Sequence, residues 1–220
     1  MVLRGSGEAV LGWKIGRIPA VDVDRLNADR LAGPIRSIVE AECGEAPIFT
    51  GGAGAIEAEF MLRLAHIPER APRTDPEARA LVDLVCAGIE VASSPIRTIH
   101  DHAPFDIIAD LGINNGNLLG AEFALDSDFD RFTVTTRIDG EPVGTGRACD
   151  VLDGPFGAVR FLVALHLAEV LQIEPGQWIS AGAITGVHPI SVGQRAEIDF
   201  GGRATMVCTA VAEKPHCVPA

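Results

Sequence analysis

Alternation of apolar and polar residues marks a series of short strands. AVLGWKIG at 9–16 reads as a strand bounded by glycines. GGAGA at 51–55 is a loop that feeds IEAEFMLRLA at 56–65, where Ile56, Ala58 and Phe60 alternate with Glu57 and Glu59 at the period of a strand. IEVASS, which carries Glu90, is a further strand. From 121 onward AEFALD, RFTVTTRID and GEPVGTGRA alternate, and Asp139-Gly140 joins the last two as a hairpin turn. WISAGAITG, RAEIDF and RATMVCTAVA complete the set, with a Gly-Gly turn at 201–202.

Helical signals are fewer. Weak helical character surrounds Ile35–Ala41. Asp75 reads as an N-cap with Pro76 at the first helical position, and Ala78, Leu81, Val82 and Val85 follow at helical spacing until Gly88. Residues 106–120 read as a short strand or helix, then a turn-rich stretch. Pro155 opens the clearest helix, over 155–171, with Phe156, Val159, Leu162, Val163, Leu167 and Val170 on one face. The pattern predicts an α+β domain dominated by β, with two or three helices.

A chain of 220 residues suits one domain with a sizeable core. The formal net charge of -12 repels a phosphate backbone, so nucleic acid is not an expected partner. It also means that a small anionic substrate needs a local positive centre, a metal ion or a lysine. The cysteines, Cys43, Cys86, Cys149, Cys208 and Cys217, are scattered without C-x-x-C and read as reduced thiols. The first residues lack the apolar core of a signal peptide, and no apolar run approaches the roughly 18 residues that span a bilayer. The expectation is a cytoplasmic protein with no membrane partner.

Glu57 and Glu59 stand two apart on one strand and so project from one face. Side-by-side carboxylates repel unless water screens them or a cation lies between them. Hard divalent ions favour such oxygens, although E-x-E alone also suits a solvated strand face. Glu90 lies in an apolar strand, where an unpaired carboxylate is costly. Lys14, in the apolar GWKIG, either neutralises a substrate carboxylate or snorkels to solvent. Asp110, in IIAD, has the same ambiguity. His100 and His102 sit in a loop as acid–base groups, extra ligands or plain loop polarity, and His166 reads as a structural histidine. GGAGA precedes a strand rather than a helix and lacks Gly-Lys-Ser/Thr, which argues against a phosphate cradle.

GWKIG at 12–16, IEAEF at 56–60, IEVASS at 89–94, IIAD at 107–110 and GQWISAGAITG…ISVGQRAEIDFGG together resemble the 2-keto-4-pentenoate hydratase branch of the fumarylacetoacetate hydrolase superfamily. That branch includes 2-oxohept-3-ene-dioate hydratase and 4-oxalocrotonate decarboxylase. The resemblance runs through nearly the whole chain. It implies a mixed β-roll or barrel with a few flanking helices, and a Mg2+ or Mn2+ site. Glu57, Glu59 and Glu90 match the metal-binding glutamates, and Lys14 matches the active-site lysine. Asp110 is implied as a second catalytic residue, and Gly182 and Thr185 as substrate contacts beside Lys14. The family's helical segment before the lysine motif is short or missing here. Where many members read A-D-N-A-S, this chain reads Ala109-Asp110-Leu111-Gly112-Ile113.

The implied activity is hydration of a 2-hydroxypenta-2,4-dienoate-type acid in aromatic catabolism. Decarboxylation of a 4-oxalocrotonate-type acid, C–C hydrolysis of an acylpyruvate and a degenerate partner subunit are the alternatives. Acylpyruvate hydrolases use a His–Glu pair near the start of the domain, whereas the first histidine here is His66. The implied partners are a small 2-oxo acid, further copies of the chain in a homo-oligomer, and a related decarboxylase or hydratase.

Overall fold

The computed structural model describes residues 9–40, 44–101 and 103–214; Cys43, His102 and Cys217 lie outside them. Among the described residues, thirteen strands form two sheets. The larger runs β2 (Arg30–Ile35), β1 (Gly12–Arg17), β10 (Trp178–Ser180), β5 (Ala53–Leu64), β6 (Val82–Ser94), β7 (Asn114–Phe123) and β3 (Ile38–Glu40), with β11 (Val187–Pro189) also paired to β5. The smaller runs β4 (Glu45–Ile48), β13 (Thr205–Ala212), β12 (Arg195–Phe200), β8 (Val134–Ile138) and β9 (Glu141–Gly146). Among the described residues the α-helices are α1 (Ala20–Leu26), α2 (Asp75–Arg79), α3 (Phe105–Ala109) and α4 (Gly154–Leu167). The expected α+β roll is present.

The main core lies between the sheets. Ile56, Ala58, Phe60, Leu62 and Leu64 of β5 and Val85, Ala87, Ile89 and Val91 of β6 meet Ile198 and Phe200 of β12, Met206 and Cys208 of β13, and Phe156, Val159, Leu162 and Val163 of α4. At its centre the Phe60 ring touches those of Phe123, Phe129, Phe132 and Phe200, with centroids 5.0–6.0 Å apart. These are edge-on and tilted contacts that add to the burial itself.

Several sequence expectations are corrected. The helix expected from Asp75 to Gly88 ends at Arg79, and Val82–Ser94 is a strand. Its N-cap is Thr74, whose hydroxyl accepts from the Glu77 amide at 3.3 Å. Val82 and Val85 are buried in a strand covered on both faces over most of its length, and Leu81 is buried just before it; an apolar run of that kind has no period to separate it from a helix. Helical character at Ile35–Ala41 is absent among the described residues: Ile35 ends β2 and Ile38–Glu40 is β3. Residues 105–109 are helical, but the turn-rich stretch after them is the ten-residue strand β7. The long helix stops at Leu167, which leaves Val170 beyond it and exposed. The Asp139-Gly140 hairpin joins β8 to β9 as expected. No described helix is long and apolar enough to cross a membrane.

Candidate active site

The second face of β5 and β6 is different. On β5, Ala55, Glu57, Glu59 and Met61 point away from the main core; on β6, Cys86, Gly88, Glu90 and Ala92 do the same. Register places Glu57 opposite Glu90 and Glu59 opposite Gly88. The three acids therefore sit in the middle of this face. One small apolar cluster (Ile35, Met61, Cys86, Leu119) lies at one side and another (Ala55, Ala92, Ile99, Ile113) at the other. All three glutamates are buried, Glu90 completely. One oxygen from each lies within 4.8 Å of the others.

Lys14 joins them from β1. Its Nζ is 3.2 Å from Glu90 Oε1, and its side chain is buried too. Neither Glu90 oxygen accepts a hydrogen bond from a described residue. Glu59 is held more firmly: Oε2 accepts the Ser180 hydroxyl and, at 2.9 Å, the Gly182 amide. Ser180 in turn accepts from Asn117 Nδ2 at 3.0 Å. Gly182 adopts φ 108, a left-handed backbone that glycine permits at no steric cost.

Burial pushes the Glu57 carboxyl up to about 7, helped by the Glu90 charge and opposed by Lys14. Burial, then the charges of Glu90 and Glu57, raises Glu59 well above the ordinary range despite its two hydrogen bonds. For Lys14, burial works to lower the pKa, but the charges of Glu90, Glu57 and Glu59 outweigh it and the net shift is upward. Fully ionised, three carboxylates and one ammonium leave two unbalanced negative charges in a low-dielectric site. Protons can relieve them, and so can a divalent cation. Two buried Glu90 oxygens that accept no hydrogen bond, one of them ion-paired with Lys14, and an all-oxygen donor set suit a hard divalent ion.

Glu57 and Lys14 line a cavity of about 680 Å³. Gly182 lines it as well, but its amide is already given to Glu59. Thr185 is buried outside the lining, its hydroxyl bonded to Thr136 at 2.8 Å and to His188 Nε2 at 3.1 Å. Asp110 is half-buried at the C-terminal end of α3 and does not line the cavity. His100 is exposed and lines it. Ser180, Asn117, Arg17 and Arg147 did not stand out in the sequence. For Ser180 the available signal is its place in WISAG, one strand step from the glycine that helps it hold Glu59.

The segment after Asp110 is strained. Leu111, Gly112 and Ile113 have φ 56, 84 and 55 in succession. A β-branched residue rarely holds a left-handed backbone, and such outliers gather at functional sites. Gly112 packs on the Lys14 stem, where an added Cβ would stand 3.1 Å from Cε.

No family model matches the chain. Over 133 residues it is 27% identical to 2-oxo-hept-4-ene-1,7-dioate hydratase of Escherichia coli, a match covering 60% of this chain and 48% of that protein, about half its length. The structure of 4-oxalocrotonate decarboxylase from Pseudomonas putida G7, complexed with magnesium and adipate, aligns with a TM-score of 0.80 at 20% identity over 93% of this chain and 79% of that one. Fumarylpyruvate hydrolase from Pseudomonas aeruginosa, in complex with Mn2+ and pyruvate, aligns with a TM-score of 0.65 at 14% identity over 96% and 94%. These likenesses bear out the resemblance read from the sequence.

Proposed function

We propose that this chain, which has the fold of the fumarylacetoacetate hydrolase superfamily and resembles its hydratase–decarboxylase branch, is a divalent-metal-dependent lyase for a small 2-oxo or 2-hydroxydienoic acid. The reading is carried by one observation: Glu57, Glu59 and Glu90 converge, buried, beside Lys14, and Glu57 and Lys14 line a cavity. Hydration of a 2-hydroxypenta-2,4-dienoate-type acid is the first reading, supported by the hydratase relative.

Glu57, Glu59 and Glu90 would hold Mg2+ or Mn2+. When bound, the ion supplies Lewis acidity at the substrate's 2-oxo or 2-hydroxy oxygen. Ser180 and the Gly182 amide fix the Glu59 carboxylate, so it does not have to reorganise when a ligand arrives. Lys14, held charged beside Glu90, would neutralise a substrate carboxylate in a protein that otherwise repels it. His100 is the imidazole on the cavity wall.

Decarboxylation is the second reading. Asp110 stands off the cavity wall and offers no carboxylate to an attacking water, and loss of CO2 needs none.

Calorimetric titration with Mn2+ of the native protein and Glu59→Gln, with and without oxalate, tests the site. The native protein is expected to bind the ion, and oxalate only in its presence, while the variant loses about 100-fold in metal affinity. Native protein that binds neither would sink the lyase reading. With binding established, loss of the dienol absorbance without CO2 release marks a hydratase; CO2 release from a 2-oxo acid marks a decarboxylase.

A further inference from the structure

A serine hydroxyl has one proton and two lone pairs, and rotation about its Cβ–Oγ bond can send that proton to any acceptor in reach. At Ser180 the neighbours remove the choice. The ordering starts at a backbone amide. The Gly116 N–H can only donate, and it gives its proton to Asn114 Oδ1 at 3.1 Å. That turns Asn114 Nδ2 toward Asn117, where it donates to Oδ1 at 2.9 Å. Asn117 Nδ2 must then face Ser180, and it donates to Oγ at 3.0 Å. With a lone pair so occupied, the Ser180 proton goes to Glu59 Oε2. All these donors point one way, from the start of β7 toward a carboxylate of the metal cluster.

Asn117 is almost wholly buried and lies directly opposite Glu90 on the neighbouring strand. Side chains so placed stand about 5 Å apart at Cβ, close enough for an amide to bond a carboxylate. Yet the Asn117 amide also donates to Met61 Sδ at 3.4 Å, a weak acceptor, while both Glu90 oxygens go without a hydrogen bond. The orientation that supplies Ser180 therefore keeps the Asn117 donors away from Glu90, which retains Lys14 as its ion-pair partner.

We propose that Asn117 is a positioning residue of the metal site: held in one orientation by Asn114, it aims the Ser180 hydroxyl at Glu59 and leaves the Glu90 carboxylate to the cation. The assignment rests on the lyase reading, because it takes the three glutamates as ligands. Asn117 acts through Ser180 and is assigned no contact with metal or substrate. A ligand oriented beforehand does not have to reorganise when the ion arrives.

The test is calorimetric titration with Mn2+ of the native protein, Asn117→Leu and Asn114→Asp, and of each variant combined with Ser180→Ala. Unfolding of the metal-free proteins, measured alongside, reports that they are folded. Asn117→Leu is expected to weaken Mn2+ binding about fivefold. Asn114→Asp separates bond direction from charge. Its carboxylate still accepts from Gly116 but has no proton for Asn117, so the Asn117 amide turns over and draws the Ser180 proton to its own oxygen. Charge alone would tighten cation binding in this variant, whereas reversal of the chain weakens it. Asn114 is only half-buried, so this arm decides the matter even if Asn117→Leu does not fold. In the Ser180→Ala background both losses are expected to vanish, since the link they act through is gone. A purely structural role would not depend on Ser180. Unchanged or tighter Mn2+ binding by Asn114→Asp, or losses that add to that of Ser180→Ala, overturns the role of Asn117 and leaves the metal site standing. Native protein that binds no Mn2+ overturns the lyase reading, and this assignment with it.

Discussion

Glu59 and Phe60 are adjacent in the chain, lie on one strand and are both buried, yet they face opposite sides of the sheet. Phe60 packs into four other aromatic rings, where every contact is favourable with no partner group required. Glu59 faces two more carboxylates, and the hydrogen bonds from Ser180 and Gly182 only partly offset the burial and like charges that raise its pKa. Equal burial therefore has opposite consequences. One face of β5 stabilises the fold; the other is held in place by that stability and draws on it to keep like charges together. A metal ion is what would turn the second face from a cost into a gain.

The sharpest way to break this contrast is Phe60→Ala. It removes a fully buried ring from a close-packed cluster and should cost about 3–5 kcal/mol in denaturant unfolding, with or without divalent metal. Glu59→Gln, one residue away, should leave unfolding stability of the metal-free protein unchanged or improved.

pH gives the next largest effect. The folded-state pKa of Glu57 is raised from 4.5 to about 7, so between those values the folded chain holds a proton that the unfolded chain has released. The stability contributed by this group is fully present below the ordinary carboxylate range and is lost as pH rises through about 7. Metal binding runs the other way, because the ion must displace that proton. Affinity should fall about tenfold per pH unit below the Glu57 pKa, with proton release visible as a buffer-dependent binding enthalpy. Metal affinity that is flat across this range would mean that the glutamates are not the ligands.

The smallest effect is expected from Ser180→Ala. It removes a hydroxyl that orients Glu59 and should weaken metal binding about tenfold, while shifting unfolding stability by no more than about 1 kcal/mol. Loss of stability without loss of metal affinity would assign Ser180 to the fold rather than to the site.

Much of this division was legible in the sequence. The alternation of Ile56, Ala58 and Phe60 with Glu57 and Glu59 assigns the two faces directly, because strand side chains alternate strictly. The hairpin at Asp139-Gly140 and Pro155 in the first turn of α4 carry equally local signals. What stayed hidden was of two kinds. Val82–Ser94 is covered on both faces over most of its length, and an apolar run without a period reads as helix or strand alike. The pairings that build the site were the other: nothing local to Ser180, Asn117 or Arg17 says which strand lies beside it. Thr185 and Asp110, singled out by resemblance, are placed off the cavity wall for the same reason, since a motif names residues and the packing decides where they face.

The pairing of β1 with β10 bears on how the site comes into being. Lys14 and Ser180 are register partners although most of the chain separates them. The group that neutralises Glu90 and the group that orients Glu59 can thus meet only after the ribosome has delivered both ends of that long interval. Until then the three glutamates, which the β5–β6 pairing can already bring together, lack the Lys14 and Ser180 partners that complete the site. Loops that large close slowly, so the completion of this site comes late in folding.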